Sequence, residues 1–465
     1  MIKVRIPPSP TGNLHIGNAR SFLFNWIFAK SQGGEVILRI EDTDLERSKK
    51  EYEEDIISGL KWLGITWDNP HIYRQSERLD IYEKYLKQLL DSGKAFWCGH
   101  TKEDLEKENK EQRAKGEGPR HICEHKHQGA SSKYQGKGII RLKVDENSTR
   151  IIHFDDEIRG TIEWEERLIG DLSLAKDERT PLYNFAVVAD DIDMEISHVI
   201  RGEDHISNTP KQILIYEALR QAQGKPLKIQ DSKFKIPTYA HLPLILGTDR
   251  SKLSKRHGAT AVSEYRKDYL PESMISFLGS LGFTYSKEMM SKEEMVKEFD
   301  LKKVHKSGAV FDVKKLNWIN SQYIKSLPAS QLLSLPAFEK VPEKAMPLIT
   351  ERLEKLSDVK NFDYFWSEPQ YDAKLLNWKS FSKDEIKKSL EETLRVLESW
   401  DWEDKDALRL LLDDLGKKQV DRGLVYWPFR VALTGKEKSP DPVDIAFVLE
   451  KEKTLKRVEN AVNKL

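Results

Sequence analysis

The first eighteen residues constrain the fold of this chain more than any other stretch. Ile2, Val4 and Ile6 alternate with polar residues, a turn rich in Pro, Ser, Thr and Gly follows, and HIGN at 15–18 opens an apolar-periodic segment. This pattern predicts a strand, a tight loop and the start of a helix. Backbone N–H groups and the positive end of the helix dipole meet at such a junction, which favours a bound phosphate there.

A second strand-to-loop junction is expected where the sequence EDTD occupies positions 41–44. Residues 35–40 immediately before it have the composition of a buried strand. Ligands of an open parallel sheet bind outside the carboxyl ends of its strands, so the two loops should converge. We expect Asp44 to cap the next helix and Glu41 to remain free to meet a cationic group.

The chain should divide into several domains, because 465 residues exceed one ordinary hydrophobic core. Residues 94–180 combine a charged, helix-prone run at 102–115 with a His-rich loop and strand-like stretches, which indicates an α+β insertion. Sheet structure is expected to resume near 181–191 and at 198–205. Beyond about residue 259, apolar residues recur at helical spacing to the end of the sequence.

Composition excludes several classes of protein. Lys and Arg number 76, as do Asp and Glu, so a nucleic-acid-binding surface must be a local patch. The sequence lacks a basic start followed by an apolar run and has no apolar run that could span a bilayer, so we expect a cytosolic protein without a membrane partner. Two cysteines argue against a disulfide framework.

A basic loop, KLSKR at 252–256, complements the opening segment. Lys252 and Lys255 can supply compact positive charge to a triphosphate, and such transfer depends mainly on positioning and charge stabilisation. His15 can donate to phosphate oxygens, while Gly17 allows a nucleotide to approach the backbone. Each feature alone is more often structural, as a helix start or a solvated charged face. Together they indicate the activation of a carboxylate with ATP.

These segments are similar to the signatures of one family. The chain resembles a class I aminoacyl-tRNA synthetase, specifically a bacterial-type glutamyl-tRNA synthetase, with Asn18 in the variable fourth place of the "HIGH" signature. The similar segments run along the whole chain in the family's order: PSPTGNLHIGN at 8–18, RIEDTD at 39–44, YRQS at 73–76, KLSKR at 252–256, FD at 311–312, LNWIN at 316–320 and RVALTG at 430–435.

The resemblance implies an α/β fold with a Rossmann-like parallel-sheet catalytic domain, an α+β insertion and an all-α C-terminal anticodon-binding region. It also implies that L-glutamate and ATP, with Mg²⁺, give glutamyl-adenylate, whose acyl group then moves to tRNA-Glu. The implied segments are residues 1–93 and 181–258 as the halves of the catalytic domain, 94–180 as an acceptor-end-binding module, 259–325 as a stem-contact module and 326–465 as the anticodon-binding region.

Carried over position by position, the resemblance implies two ligand subsites. The catalytic residues would be His15, Lys252 and Lys255. The ATP subsite would comprise His15, Gly17, Asn18, Glu203, Asp204, Lys252, Leu253 and Lys255, and the glutamate subsite Arg5, Ser9, Glu41, Tyr183 and Arg201. Guanidinium groups bind carboxylates in a bidentate manner, and a carboxylate such as that of Glu41 suits the ammonium group. The alternative for Arg5 and Arg201 is an ordinary salt bridge at a strand end.

Both cysteines belong to a predicted zinc site. Cys98-x-His100 and Cys123-x-His125 provide four ligands of the types found in tetrahedral structural zinc sites, and some family members bind zinc in this module. His121 or His127 could replace one of these ligands. The alternative is a pair of free thiols beside a His-rich surface loop.

The resemblance implies that the helical C-terminal region reads the anticodon. RNA is recognised through splayed bases contacted by Arg and aromatic side chains. By resemblance Arg352 and Arg430 are candidates, and an arginine aligned with Arg352 is associated with charging tRNA-Glu alone. The alternative for Arg352 is an exposed helix arginine without a role in binding. The alternatives for the protein are an enzyme that also charges tRNA-Gln, one that glutamylates a modified tRNA nucleoside, a glutaminyl-specific synthetase, or an inactive RNA-binding paralogue. We expect a monomer.

Overall fold

The computed structural model describes residues 1–128, 133–223, 235–258 and 260–465. The chain forms two compact units, Met1–Arg266 with Pro271–Leu316 and Lys267–Leu270 with Asn317–Leu465. The predicted α/β architecture with a parallel sheet and a helical C-terminal region is confirmed. The boundaries of the five segments proposed from the sequence stay predictions.

The first unit contains the described strands of the chain. They are β1 Lys3–Ile6, β2 Glu35–Ile40, β3 Tyr73–Arg74, β4 Ala95–Cys98, β5 Ile139–Leu142, β6 Ile151–Asp156, β7 Gly160–Glu165, β8 Ser173–Asp177, β9 Thr180–Pro181, β10 His198–Gly202, β11 Thr238–Leu242, β12 Ile245–Leu246 and β13 Ala309–Val310. Its helices are α1 Ile16–Ser31, α2 Lys50–Trp62, α3 Leu79–Asp91, α4 Lys102–Ala114, α5 Tyr183–Asp193, α6 Thr209–Ala222, α7 Val262–Tyr265, α8 Pro271–Ser280 and α9 Lys292–Glu298.

Parallel pairing aligns the strand ends that bear polar residues. β1 pairs with β2 and β2 with β3, all parallel, and β10 pairs in parallel with β11, whose other neighbour is β6. The two sheets adjoin at Ser197, whose N–H donates to the carbonyl oxygen of Lys3 at 2.9 Å. The carboxyl ends of β1, β2 and β10 therefore lie at one edge, where the loops that follow them converge.

Residues 181–191 were expected to form part of the sheet, and this prediction is wrong. They lie largely in α5, whose residues are buried along most of its length. A continuous apolar run does not distinguish a buried strand from a buried helix. On the helix, Asp190 and Asp191 reach buried arginines; for example, Asp191 Oδ1 accepts a hydrogen bond from Arg39 Nη1 at 2.7 Å.

Asp44 does not cap the following helix, contrary to expectation. α2 begins after Lys49, which provides no side-chain cap among the described residues. The Asp44 carboxylate instead accepts a hydrogen bond of 2.6 Å from Arg47 Nε. The loop after β2 therefore continues to Lys49, and Asp44 lies too far from α2 to cap it.

The insertion is built around an antiparallel sheet, β4-β5-β8-β9. The charged run at 102–115 forms α4, as predicted, and a capping box between Thr101 and Asp104 begins that helix. The insertion also contains β6 and β7, which extend the sheet of β10 and β11.

The second unit is helical in its described structure. Its helices, the first of which begins at the end of the first unit, are α10 Val313–Ser326, α11 Ala329–Leu333, α12 Met346–Thr350, α13 Lys383–Ser399, α14 Lys405–Lys418, α15 Gly423–Thr434 and α16 Pro442–Lys464. α13, α15 and α16 pack around buried side chains such as Leu390, Phe429 and Val458. Gly435 ends α15 in the left-handed region at φ 67°, which glycine adopts without strain. α16 is interrupted at Glu450, where φ is 64°.

Among the described residues, none of the helices has the length and apolar character needed to cross a membrane.

Candidate active site and metal centre

A cavity of ≈ 440 Å³ lies where the carboxyl ends of β1, β2 and β10 meet the start of α1. Most of the side chains proposed from the sequence line this cavity: Arg5, Ser9, His15, Gly17, Asn18, Glu41, Tyr183, Arg201, Asp204, Lys252 and Leu253. The side chain of Lys255 lies outside the described part of the structure, although its backbone belongs to the 3₁₀ turn Lys255–His257.

His15 immediately precedes α1 and is fixed by the helix start. Its Nδ1 accepts a hydrogen bond of 3.0 Å from the backbone N–H of Gly17. Burial, with a further contribution from Lys252, lowers the pKa of His15. The ring is therefore neutral near neutral pH, and the hydrogen-bond pattern assigns its proton to Nε2, which can donate to a phosphate oxygen. A Cβ at residue 17 would lie 3.2 Å from Nδ1, so glycine leaves room for the ring.

The basic loop is anchored to the same helix start. The backbone N–H of Val262, which follows the loop, donates a hydrogen bond of 2.8 Å to the carbonyl oxygen of Leu14. Lys252 Nζ lies 3.3 Å from Asp204 Oδ2, and both side chains are well exposed. This ion pair is weak because solvent screens it, so Lys252 can exchange its carboxylate partner for a bound anion.

Two buried arginines that line the cavity carry N–H groups without a hydrogen-bond partner among the described residues. Arg5 is 2% exposed and Arg201 is 6% exposed. Within the described chain, Arg5 Nε and Nη1 and Arg201 Nη1 have no hydrogen-bond partner. Arg5 Nε does lie 3.5 Å from Asp191 Oδ2, which neutralises part of its charge. Buried unpaired N–H groups are costly, so an acceptor bound beside these nitrogens would be favoured.

Carboxylate and hydroxyl groups complete this part of the wall. Glu41 Oε1 accepts a hydrogen bond of 2.9 Å from Arg39 Nη2. Burial raises the pKa of Glu41 despite the attraction of Arg39 and Arg5. Tyr183 Oη lies 3.2 Å from His205 Nδ1, and burial raises the pKa of the Tyr183 phenol, which keeps it protonated.

Cys98, His100, His121 and Cys123 form a compact donor set in the insertion, with one potential ligand atom of each within 4.8 Å of all the others. Cys98 Sγ lies 3.4 Å from His100 Nδ1 and 3.5 Å from His121 Nε2. Ligand atoms around tetrahedral zinc are separated by roughly 3.3–3.8 Å, given the usual Zn–S and Zn–N lengths. The two thiols and two imidazoles therefore fit a structural zinc ion.

His125 lies outside this donor set and groups instead with His100 and Glu124, so the geometry favours His121 as the fourth ligand, while the ligand set itself stays a proposal. A 3₁₀ turn, Glu124–His127, starts directly after Cys123. It brings His125 Nδ1 to 3.2 Å from the backbone N–H of Gly99, from which it accepts a hydrogen bond. His127 is exposed and also lies outside the set.

Glu108 on α4 holds His121 in a fixed orientation. Its Oε2 lies 2.6 Å from His121 Nδ1, and its Oε1 accepts a hydrogen bond of 3.2 Å from the backbone N–H of Ile122. A carboxylate on Nδ1 leaves Nε2 as the lone-pair donor, the usual second-shell arrangement of metal-binding histidines. A hydrogen bond from Cys123 is the largest influence that lowers the pKa of Cys98, so this pair readily provides a thiolate.

Comparison with known proteins assigns both units. The family described as "tRNA synthetases class I (E and Q), catalytic domain" matches residues 1–318, and "Anticodon binding domain" matches residues 310–462. The chain is 42% identical to the glutamate–tRNA ligase of Carboxydothermus hydrogenoformans, with 100% of each sequence covered. It belongs to the glutamate–tRNA ligase family of class I tRNA synthetases.

Other members of the family are similar over nearly the full length. The glutamate–tRNA ligase of Trichormus variabilis is 41% identical, with 96% of each sequence covered. The crystal structure of a glutamate tRNA ligase from Elizabethkingia meningosepticum in complex with its amino acid matches with a TM-score of 0.85 and 32% identity, covering 99% of each chain.

One residue proposed for the ATP subsite of this glutamate–tRNA ligase family member lies outside the cavity wall. Glu203 is not among the described lining residues. It pairs with Arg159, and its Oε1 accepts a hydrogen bond of 2.8 Å from the backbone N–H of Leu244. Its neighbour Asp204 does line the cavity.

His205 and Arg20 also line the cavity and were not predicted from the sequence. Burial, followed by the charge of Arg201, lowers the pKa of His205 to about 4. Arg20 Nη2 donates to the carbonyl oxygen of Pro243, and burial lowers the pKa of Arg20 to about 10. His205 directly follows Glu203 and Asp204 at a strand end, which was an available signal. Arg20 stands among apolar residues of α1, where a lone arginine suggests a buried partner.

The proposed anticodon residues lie in the helical unit. Arg352 is exposed just after α12, and Arg430 lies partly buried on α15. The Nε atom of Arg430 is buried without a hydrogen-bond partner among the described residues.

Proposed function

We propose that this protein activates L-glutamate with ATP and transfers the glutamyl group to the 3′ end of tRNA-Glu. The observation that carries the proposal is the pair of buried arginines, Arg5 and Arg201, whose unpaired N–H groups adjoin a cavity at the helix start bearing His15. A solved relative is described in complex with its amino acid, and curated relatives bear the name glutamate–tRNA ligase.

The proposed glutamate subsite consists of Arg5, Ser9, Glu41, Tyr183 and Arg201. The unpaired guanidinium nitrogens provide donors for the carboxylates of glutamate, while Glu41 attracts its ammonium group. Glutamine presents a neutral amide, whose NH₂ group cannot accept hydrogen bonds from a guanidinium. A buried N–H group would then lose its partner, and this cost provides discrimination against glutamine.

The proposed ATP subsite combines the start of α1 with the basic loop. His15, Gly17 and Asn18 lie at the positive end of the helix dipole, which favours phosphate. Asp204, Lys252 and Leu253 adjoin them in the cavity wall, and Lys255 and Glu203 are kept in the proposal on the family resemblance. Mg²⁺ bound with ATP supplies further positive charge to the phosphate oxygens.

Two displacements follow from this arrangement. A carboxylate oxygen of glutamate attacks the α-phosphorus of ATP and pyrophosphate leaves, with His15, Lys252 and Lys255 compensating the negative charge that develops. A terminal ribose hydroxyl of the tRNA then attacks the acyl carbon, and AMP leaves. The protein contributes positioning and electrostatic stabilisation in both steps and forms no covalent intermediate.

We further propose that the insertion binds a structural zinc ion through Cys98, His100, His121 and Cys123. The fit of donor types and separations supports this assignment. When bound, the ion cross-links β4 to the loop that contains His121 and Cys123. Glu108 fixes the orientation of one imidazole ligand.

The helical unit is proposed to bind the anticodon of tRNA-Glu, with Arg352 and Arg430 as candidate contacts. The match to an anticodon binding domain over residues 310–462 supports this role. Because the protein consumes tRNA and ATP, we propose that it acts in the cytoplasm. The monomeric state expected from the sequence stays a prediction.

Charging assays test the proposal directly. Radiolabelled glutamate is supplied with ATP and separate tRNA-Glu and tRNA-Gln transcripts, and pyrophosphate exchange is measured with and without tRNA. We expect charging of tRNA-Glu alone. Charging of both tRNAs would retain the catalytic proposal and contradict the specificity assigned to Arg352. Charging of neither would contradict the proposed function.

A further inference from the structure

A buried chain of three side chains ends at Arg201. Asp156 at the end of β6, His241 on β11 and Arg201 on β10 occupy three adjacent strands of the sheet. The side chains of His241 and Asp156 are both fully buried, and His241 Nδ1 lies 2.6 Å from Asp156 Oδ2. Arg201 Nε donates a hydrogen bond of 3.2 Å to His241 Nε2.

One protonation pattern of a neutral His241 satisfies both Arg201 and Asp156. Thr209 Oγ1 also lies 3.1 Å from His241 Nε2, and its hydroxyl can donate to the same nitrogen. Arginine can only donate, so His241 Nε2 must accept from Arg201 Nε–H. His241 Nδ1 must then carry the proton and donate it to the Asp156 carboxylate. Burial lowers the pKa of His241, in agreement with a neutral ring. Burial opposes ionisation of Asp156, yet hydrogen bonds from His241 and the backbone of Arg159 hold the pKa of Asp156 below its usual value.

These hydrogen bonds engage two of the three nitrogens of the Arg201 guanidinium group. Arg201 Nε is held by His241, and Arg201 Nη2 donates a hydrogen bond of 2.8 Å to Thr209 Oγ1. Nη1 has no partner within the described chain, and Arg201 lines the cavity. The interactions on Nε and Nη2 therefore fix the orientation of the planar group, and with it the position of Nη1.

We propose that Asp156 and His241 are positioning residues, which fix the tautomer of His241 and thereby orient Arg201 for a carboxylate of glutamate. His241 is not among the described residues that line the cavity, so it acts through Arg201. The inference rests on the proposed role of Arg201 in glutamate binding.

Asp156→Asn changes the tautomer with little change in shape. Asp156 Oδ1 accepts backbone hydrogen bonds from Ile158 at 3.0 Å and Arg159 at 2.8 Å, so an oxygen must remain at that position. The new NH₂ group would then face His241 Nδ1 and force the proton onto Nε2. The Nε2–H group would then oppose Arg201 Nε–H and be left with Thr209 Oγ1, 3.1 Å away, as its acceptor, so Arg201 Nε would lose its own acceptor.

Asp155 and His241 provide matched comparisons. Asp155→Asn makes the same substitution at the exposed neighbouring position on β6. His241→Gln retains an acceptor at the position of Nε2, whereas His241→Asn retains only a polar group near Asp156. A comparison of His241→Gln with His241→Asn shows whether Arg201 needs a hydrogen-bond acceptor at the position of Nε2 or only a polar side chain at residue 241.

The experiment measures glutamate-dependent pyrophosphate exchange in the presence of tRNA-Glu. We expect Asp156→Asn and His241→Asn to raise the KM for glutamate about tenfold, the value of one charged hydrogen bond, and to change the KM for ATP less than about twofold. His241→Gln and Asp155→Asn should remain close to the wild type. ¹⁵N NMR of histidine-labelled protein should find the His241 proton on Nδ1 in the wild type and on Nε2 in Asp156→Asn.

The inference would be overturned by a wild-type proton on Nε2, by equal KM changes for glutamate and ATP, or by His241→Gln and His241→Asn behaving alike. If Asp156→Asn does not fold, the two His241 variants decide the matter. Arg201→Lys separates the proposed binding of glutamate by Arg201 from the proposed positioning of Arg201 by Asp156 and His241. An unchanged KM for glutamate in that variant would overturn both proposals, whereas a raised KM there with an unchanged KM in His241→Asn would overturn only the positioning role.

Discussion

The backbone N–H of Ile16 donates a hydrogen bond of 2.9 Å to the carbonyl oxygen of Thr260. Ile16 is the first residue of α1, and Thr260 follows the basic loop at 252–256. The opening signature and the segment that follows the basic loop are far apart in the sequence and are therefore joined through the backbone, not only by a shared ligand. This connection fixes the base of the basic loop beside the helix start that is proposed to bind phosphate.

Loss of the Lys252 charge should slow adenylate formation. Lys252→Met removes a cation from the cavity wall, and we expect pyrophosphate exchange to fall about 100-fold at saturating substrates, with the KM for glutamate unchanged. Arg256→Met is the matched control, because Arg256 lies on the same loop and donates to Ser251 Oγ at 2.6 Å. Equal losses in the two variants would contradict a specific role for Lys252.

Zinc content should distinguish His121 from His125. Cys98→Ser, Cys123→Ser and His121→Asn should reduce the zinc that copurifies with the protein, whereas His125→Asn should retain it. Elemental analysis after dialysis against a weak chelator measures the difference. Retention of zinc in His121→Asn with loss in His125→Asn would restore the ligand set predicted from the sequence.

Glu108 should affect zinc affinity without being a ligand. Glu108→Gln weakens the orientation of His121, and second-shell substitutions of this kind lower metal affinity about 10- to 100-fold. Competition with a chromophoric chelator measures the affinity. The wild-type value in Glu108→Gln would contradict the assignment of Glu108 as the residue that holds His121.

The ion pairs around Arg39 should be essential for stability. Arg39 is fully buried and lies 2.7 Å from Asp191 and 2.9 Å from Glu41. Arg39→Met leaves these carboxylates buried without their cation, which we expect to cost about 3–5 kcal/mol in denaturant unfolding. Arg47→Met is the control, because the exposed pair that Arg47 forms with Asp44 should leave the unfolding midpoint unchanged. Similar midpoints for both variants would contradict this expectation.

His205 should make the protein less stable in mild acid. Its pKa is about 4 in the folded chain and 6.5 in the reference state, so the unfolded state binds the proton first as pH falls. His205 does not destabilise the folded state above pH 6.5, and its destabilising effect grows as the pH falls from 6.5 toward 4. At about pH 5 we expect roughly 2 kcal/mol of destabilisation, absent from His205→Gln. Denaturant unfolding of both proteins at neutral and acidic pH measures it, and parallel pH dependences would contradict it.

Local sequence patterns were sufficient to predict most residues that line the cavity. They were insufficient to predict the helix α5 behind it and the geometry of the proposed zinc site. Arg5, Glu41 and Arg201 each stand at or beside a strand end, and the ends of parallel strands meet by geometry. The apolar residues of α5 resembled a strand because burial on all sides removes helical periodicity. The choice of His121 over His125 as the proposed ligand depends on the 3₁₀ turn after Cys123, which the spacing of the residues alone does not determine.

The chain from Asp156 to Arg201 could not have been read from the sequence. Its members come from three strands that are separated by long stretches of other structure, and their adjacency depends on the strand order of the sheet. Asp156 also resembles an ordinary turn residue, since its Oδ1 accepts backbone hydrogen bonds. Buried polar pairs of this kind become visible only when the partners are placed in space.

The most direct test of the account is the effect of Arg5→Gln and Arg201→Gln on glutamate binding. Glutamate-dependent pyrophosphate exchange with tRNA-Glu gives the KM for glutamate and for ATP in each variant. The account predicts that each substitution raises the KM for glutamate by about 100-fold, because a buried charged partner of a carboxylate is lost, and changes the KM for ATP less than about twofold. Unchanged KM values for glutamate in both variants would contradict the assignment of the unpaired guanidinium groups to the amino-acid substrate.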